Sequence, residues 1–142
     1  MHTEGSFAPD DVDAAAERFA DLGPTAQVVV REVAKAMDFD GEEYERRVDA
    51  DVVATAREAL FAEELLVHVG TREEYEAWLA ESDYPIEEWT VEEIGSEQVD
   101  NVAWHAAPAV ETVLAATFQN EPEAAVGTLR RQAVGRCYRD VV

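Results

Sequence analysis

Apolar positions along the chain follow two rhythms, and the alternation between them sets the expected elements. Residues 1–8 show neither rhythm and are expected to form a flexible end. From Pro9-Asp10-Asp11 a helix is expected to about Leu22, with Phe19 and Leu22 three apart and Gly23 as its stop. Pro24 suits the first turn of a second helix, where no N–H partner is needed. Val30, Val33, Ala34 and Met37 give that helix an apolar stripe. Asp38-Phe39-Asp40-Gly41 breaks it. A short acidic helix over 42–48 and another over 51–61, with Val53, Ala56 and Leu60 inward, follow.

Leu65-Leu66-Val67-His68-Val69 is a compact apolar run ending at Gly70, which predicts a buried strand. Thr71 with Glu74 three residues on is a capping box, and the helix it opens carries Tyr75, Trp78 and Leu79 on one side. Pro85 ends that segment. Two strands are then expected, over 89–94 and 99–105, joined as a hairpin at Gly95-Ser96-Glu97-Gln98. Val110, Val113, Leu114, Thr117 and Phe118 have helical spacing behind Pro108, and Asn120-Glu121-Pro122 breaks them. A last helix presents Val126, Leu129, Ala133, Cys137 and Val141.

Helices, then β-α-β-β, then helices, with no repeat and no low-complexity linker, predict an α+β fold. Its small antiparallel sheet of about three strands would be packed by the N-terminal and C-terminal helices, in a single domain over 9–142. A mostly helical protein with a vestigial sheet is the alternative.

Composition narrows the setting. A chain of 142 residues, 47% apolar, can bury about 70% of its unfolded surface without disulfides. Cys137 is the only cysteine, so no internal disulfide forms. The N-terminus lacks a secretory pattern and no apolar run is long enough to span a bilayer, so a cytoplasmic, membrane-free protein is expected. Charge changes the picture most: 32 acidic residues face 11 basic ones, a net −21, and Lys35 is the only lysine. The apolar content is too high and too well patterned for disorder. At molar salt the Debye length falls to about 3 Å and self-repulsion is screened. The balance therefore predicts a halophilic protein holding K+ or Na+ on its carboxylates, with no other cofactor required by the sequence.

The chemical motifs are mostly missing. There is no phosphate-binding glycine loop, no His-Glu-x-x-His, no Cys-x-x-Cys, and none of Ser6, Ser82 and Ser96 sits in a nucleophile elbow. Cys137 lies on an apolar stripe and reads as a core thiol. His68 and His105, each in or beside a predicted strand, are the candidate metal or catalytic pair, with Glu64 as a third ligand. Their separation in sequence carries no ligand signature, so hydrogen-bonded core histidines are the stronger reading. The runs Glu42-Glu43-Glu45, Glu63-Glu64, Glu73-Glu74-Glu76 and Glu92-Glu93 read as solvated surface.

Arginine is distributed unevenly. Residues 121–142 carry Arg130, Arg131, Arg136 and Arg139 against three acids, a net +1, whereas residues 1–120 carry 7 basic and 29 acidic residues, a net −22. A terminal helix of that sign can grip a partner's carboxylates, or can pair with the protein's own acids. Trp104, at the junction Trp104-His105-Ala106-Ala107-Pro108, either joins that contact or closes the core. The expected function is a non-catalytic interaction or accessory protein that binds a protein partner or itself through the arginine-bearing helix. A metal or enzymatic domain using His68 and His105 is the alternative. RNA association is the weaker third, since molar salt weakens phosphate contacts.

Val99-Asp100-Asn101-Val102-Ala103-Trp104-His105-Ala106-Ala107-Pro108 and the ending from Gly127-Thr128-Leu129-Arg130-Arg131-Gln132-Ala133 to Tyr138-Arg139-Asp140-Val141-Val142, together with Val69-Gly70-Thr71-Arg72-Glu73-Glu74, resemble a small haloarchaeal family known as a domain of unknown function. The resemblance covers nearly the whole chain and implies haloarchaeal origin. It implies no activity, and no functional residue is carried over from it.

Overall fold

The computed structural model describes residues 1–96 and 98–142. In chain order the elements are β1 (His2–Glu4), α1 (Val12–Ala36), α2 (Gly41–Arg47), α3 (Ala50–Glu64), β2 (Val67–Thr71) and α4 (Arg72–Glu81). β3 (Thr90–Ile94), β4 (Asn101–Ala107), β5 (Thr112–Phe118) and α5 (Pro122–Ala133) complete them. A π-helical turn, Val134–Tyr138, extends α5. The α+β class is as expected, but the sheet has five strands in the order β1-β2-β4-β5-β3 and is mixed: β3 runs parallel to β5 and the other pairs are antiparallel.

Strand alternation gives the sheet two apolar faces. On one, Val67 and Val69 of β2, Ala103 and Ala107 of β4, and Leu114 and Ala116 of β5 meet α1, α3, α5 and the π turn. Phe61 is the hub there, edge-on to Phe7, Phe19 and Tyr138 at 5.3–5.7 Å between ring centroids. On the other, Val102, Trp104 and Ala106 of β4 and Val113 and Ala115 of β5 meet Tyr75, Trp78 and Leu79 of α4. The capping box expected at Thr71 and Glu74 opens α4.

Four expectations are corrected. The segment after Pro108 is a strand, not a helix. Val113, Leu114, Ala115 and Ala116 are all buried, alternately in the two cores, and a central strand covered on both faces reads as an unbroken apolar run that also satisfies helical spacing. Thr112, Val113, Thr117 and Phe118 were the β-favouring clue. Second, β3 and β4 do not form a hairpin, because β5 lies between them in the sheet. Third, residues 2–4 pair with Val67–Val69, and Phe7 bridges to Leu65, so the end expected to be loose is tied to the sheet.

The fourth correction is the helix stop at Gly23-Pro24, through which α1 runs unbroken. Proline has no N–H for the carbonyl four residues back and crowds the residue before it. Gly23, lacking a Cβ, relieves the crowding. Arg57 of α3 supplies the donors: Nε donates to the Phe19 carbonyl at 2.7 Å and Nη2 to the Ala20 carbonyl at 3.1 Å. The guanidinium also lies 4.4 Å from the Phe19 ring centroid. Nη2 stands 3.2 Å from where a Cβ on residue 23 would sit. α1 is thus tied to its neighbour at the proline, and its second half forms one wall of a surface groove.

Candidate functional site

The candidate pair, His68 and His105, lies on two neighbouring strands of the sheet, β2 and β4. In the β2–β4 register His68 faces Trp104, and its ring stacks on Trp104 with 5.4 Å between centroids and a tilt of 16°. His105 is the next residue along β4 and therefore points to the opposite face. The sheet separates the two imidazoles, so they do not form a shared site. Glu64 is engaged by Arg18, whose Nε donates to it at 2.7 Å, and the pairing holds its carboxyl below the usual range. Among the described residues no group of three His, Cys, Asp or Glu side chains is placed to hold a metal.

His105 is fully buried. Its Nδ1 donates to the Leu66 carbonyl at 2.7 Å, because a carbonyl can only accept. Nε2 is then the acceptor for the Tyr138 hydroxyl, 2.6 Å away. Burial drives the imidazole down to about 4 and the Tyr138 phenol upward. A neutral imidazole with both nitrogens occupied holds three elements together; it has no free position for substrate. Cys137, beside Tyr138 in the same core, is buried and its thiol is pushed up to about 11 by burial and by Glu92, the opposite of what a nucleophile needs.

On the other face Trp104 is fully buried and offers no contact surface. Nδ1 of His68, Oη of Tyr75 and Nε1 of Trp104 are buried there without a protein partner among the described residues.

The four C-terminal arginines divide. Arg130 donates from Nε and Nη2 to the Leu65 carbonyl, at 3.3 and 3.0 Å. It reaches that carbonyl past Gly5, whose φ of +78° no side chain favours and whose added Cβ would stand 2.7 Å from Nη2. Arg136 pairs with Glu92 at 2.8 Å. Arg139 forks onto Glu58 at 3.0 and 3.2 Å. Arg130 and Arg131 make no ion pair among the described residues, and Arg131 donates instead to the Thr128 hydroxyl at 3.4 Å. The positive tail is mostly spent on the protein's own carboxylates and carbonyls.

What the surface does present is an apolar groove of about 410 Å³ between α1, α2 and α3. Its walls include Val29, Val33 and Met37 from α1 and Val52, Ala56 and Ala59 from α3. Val29, Val33, Met37 and Val52 are 37%, 52%, 59% and 40% exposed. The stripe expected at 30, 33, 34 and 37 is therefore split: Val30 and Ala34 face the core, Val33 and Met37 face outward. Among the described residues Arg47 is the only charged one lining the groove, and it lies over the Phe39 ring, 5.2 Å from its centroid. Past Thr55 and Ala59 the groove continues into a second depression bordered by Arg131 and the Arg139–Glu58 pair. The sequence did carry a signal for this surface. Val28-Val29-Val30 are consecutive in a helix, and three consecutive positions span too wide an arc to face one core.

A family model of unknown function, DUF5809, matches residues 6–139. The chain belongs to this family. The DUF5809 match begins after β1 and runs through the π turn, so the groove, His68, His105 and all four C-terminal arginines lie within it. No curated protein and no solved structure matches the chain. No helix among the described residues is long and apolar enough to cross a membrane.

Proposed function

We propose that this DUF5809 protein is a non-catalytic interaction module of a salt-rich cytoplasm, taking a protein partner on the groove between α1, α2 and α3. Arg131 of the C-terminal helix stands at the far end of that contact. The observation that carries the reading is the exposure of Val29, Val33, Met37 and Val52 along one groove. Thirty-two acids cover a chain of 142 residues, yet among the described residues none lines this groove. Contiguous apolar surface on a soluble chain marks a contact site, and withholding carboxylates from it is what partner binding requires. The engaged state of His105 and of Cys137 favours a non-catalytic role.

The test is capture of the tagged protein from the cells that make it, in molar KCl, with and without nuclease. Wild type is compared with the double variant Val33→Asp, Met37→Asp, whose sites are more than half exposed. A stoichiometric protein that survives nuclease and is absent from the variant's eluate supports the reading. Identical eluates from both proteins sink it, and a partner lost to nuclease moves the contact to RNA.

A further inference from the structure

The groove's charges say what kind of segment it takes. Six of the eleven basic residues make no ion pair among the described residues: Arg31, Arg46, Arg47, Arg57, Arg130 and Arg131. Arg57 and Arg130 are used on backbone carbonyls. Of the remaining four, Arg47 lines the apolar groove and Arg131 lines its continuation. In a chain of net −21, carboxylates are available for every arginine, so unpaired guanidinium groups beside the exposed apolar surface are a distinctive arrangement. Arg47 is held over Phe39, which leaves the edge of its donor fork for another acceptor.

We propose that the groove receives an amphipathic helix from a different protein, its apolar face flanked by carboxylates that meet Arg47 at one end and Arg131 at the other. A helix lying in an apolar groove is a common recognition mode, and bidentate Arg–carboxylate contacts give it register and direction. Molar salt leaves only close ion pairs effective, so the specificity sits in these two contacts. A second copy is the poorer occupant. Its own exposed apolar helix face is that of α1, where the valines are interleaved with Arg31 and with the Lys35–Glu32 ion pair, so its one carboxylate there is already engaged and Arg31 would be set against Arg47.

This inference rests on the groove being an interaction surface, and its test separates the two claims. A bead-displayed library of amphipathic helical peptides, with Glu or Lys at the positions flanking a Leu/Val face, is selected against the folded protein in molar KCl. Selected peptides are then titrated by fluorescence anisotropy. Glu-flanked peptides should bind at least about tenfold tighter than their Lys counterparts, a ratio that falls towards one in Arg47→Gln, Arg131→Gln. Binding of both series should vanish in Val33→Asp. Equal binding of Glu and Lys series, both lost in Val33→Asp, overturns the acidic partner and leaves the groove reading standing. No binding, or binding indifferent to Val33→Asp, overturns both. Light scattering that shows a dimer dispersed by Val33→Asp overturns the foreign partner in favour of a second copy.

Discussion

Arg57 makes good the hydrogen bond that Pro24 cannot give. The Ala20 carbonyl, left without its intrahelical donor by the proline, accepts from Arg57 Nη2 at 3.1 Å, and the Phe19 carbonyl accepts from Nε at 2.7 Å. The pair joins α1 to α3, so a backbone defect in one helix becomes a tie between the two.

Truncation at this joint has a defined cost. Hydrogen bonds from a charged donor are worth about 1.5–3 kcal/mol, so Arg57→Ala should lower unfolding free energy by about 2 kcal/mol in urea titrations. Arg57→Lys should recover little, because an ammonium cannot serve both carbonyls while stacking on Phe19. In a Pro24→Ala background the helix regains its own N–H, and the cost of Arg57→Ala should shrink by about 1 kcal/mol. Equal costs in both backgrounds would show that the arginine acts only by packing.

The burial of His105 sets a pH dependence. The folded protein keeps His105 neutral down to about 4, while the unfolded chain takes up a proton near 6.5. Between these values the unfolded state binds more protons, so stability is full above about 6.5 and declines as pH falls. The slope is about 1.4 kcal/mol per unit, up to about 3 kcal/mol in all. His68, also lowered by burial, adds in the same direction. Urea midpoints at pH 7.5, 6.5 and 5.5 in molar KCl read this slope, which should flatten in His105→Phe whatever that variant's absolute stability. A wild-type midpoint constant over that range would mean the imidazole can charge inside the fold.

Net charge predicts a salt requirement. With −21 on 142 residues and a Debye length of about 30 Å in dilute buffer, like-charge repulsion acts across the whole molecule. The far-ultraviolet circular dichroism of α1, α3 and α5 should be lost on dialysis into dilute buffer and return on adding KCl. A spectrum unchanged by salt would leave the acidic surface without that role.

Element positions were largely legible in the sequence, and their partners less so. The capping box at Thr71 and Glu74, the strand around Val67 and the break before Pro122 follow from local chemistry, which sequence displays directly. Val113 to Ala116 misled because burial on two faces erases the strand period. Pro24 misled because its repair comes from Arg57, 33 positions on. The β3–β4 reversal was read correctly as a change of direction, but insertion of β5 between the two strands is a long-range event with no local mark. For the site, the positive tail was visible as composition, yet whether Arg130 meets a carbonyl or a partner depends on Gly5 and Leu65, far away in the chain. The exposed valines of α1 were visible as excess apolar positions, though nothing local said which of them would face outward.

The most direct test of the groove as a docking surface is site-specific photocrosslinking in the producing cells. Benzoylphenylalanine is placed at position 33, 37 or 52, with position 91 on the exposed edge strand as the control; Val91 is 42% exposed. The account predicts one discrete adduct with another protein from the three groove positions and none from position 91. No adduct from the groove, or the same adducts from position 91, would contradict it.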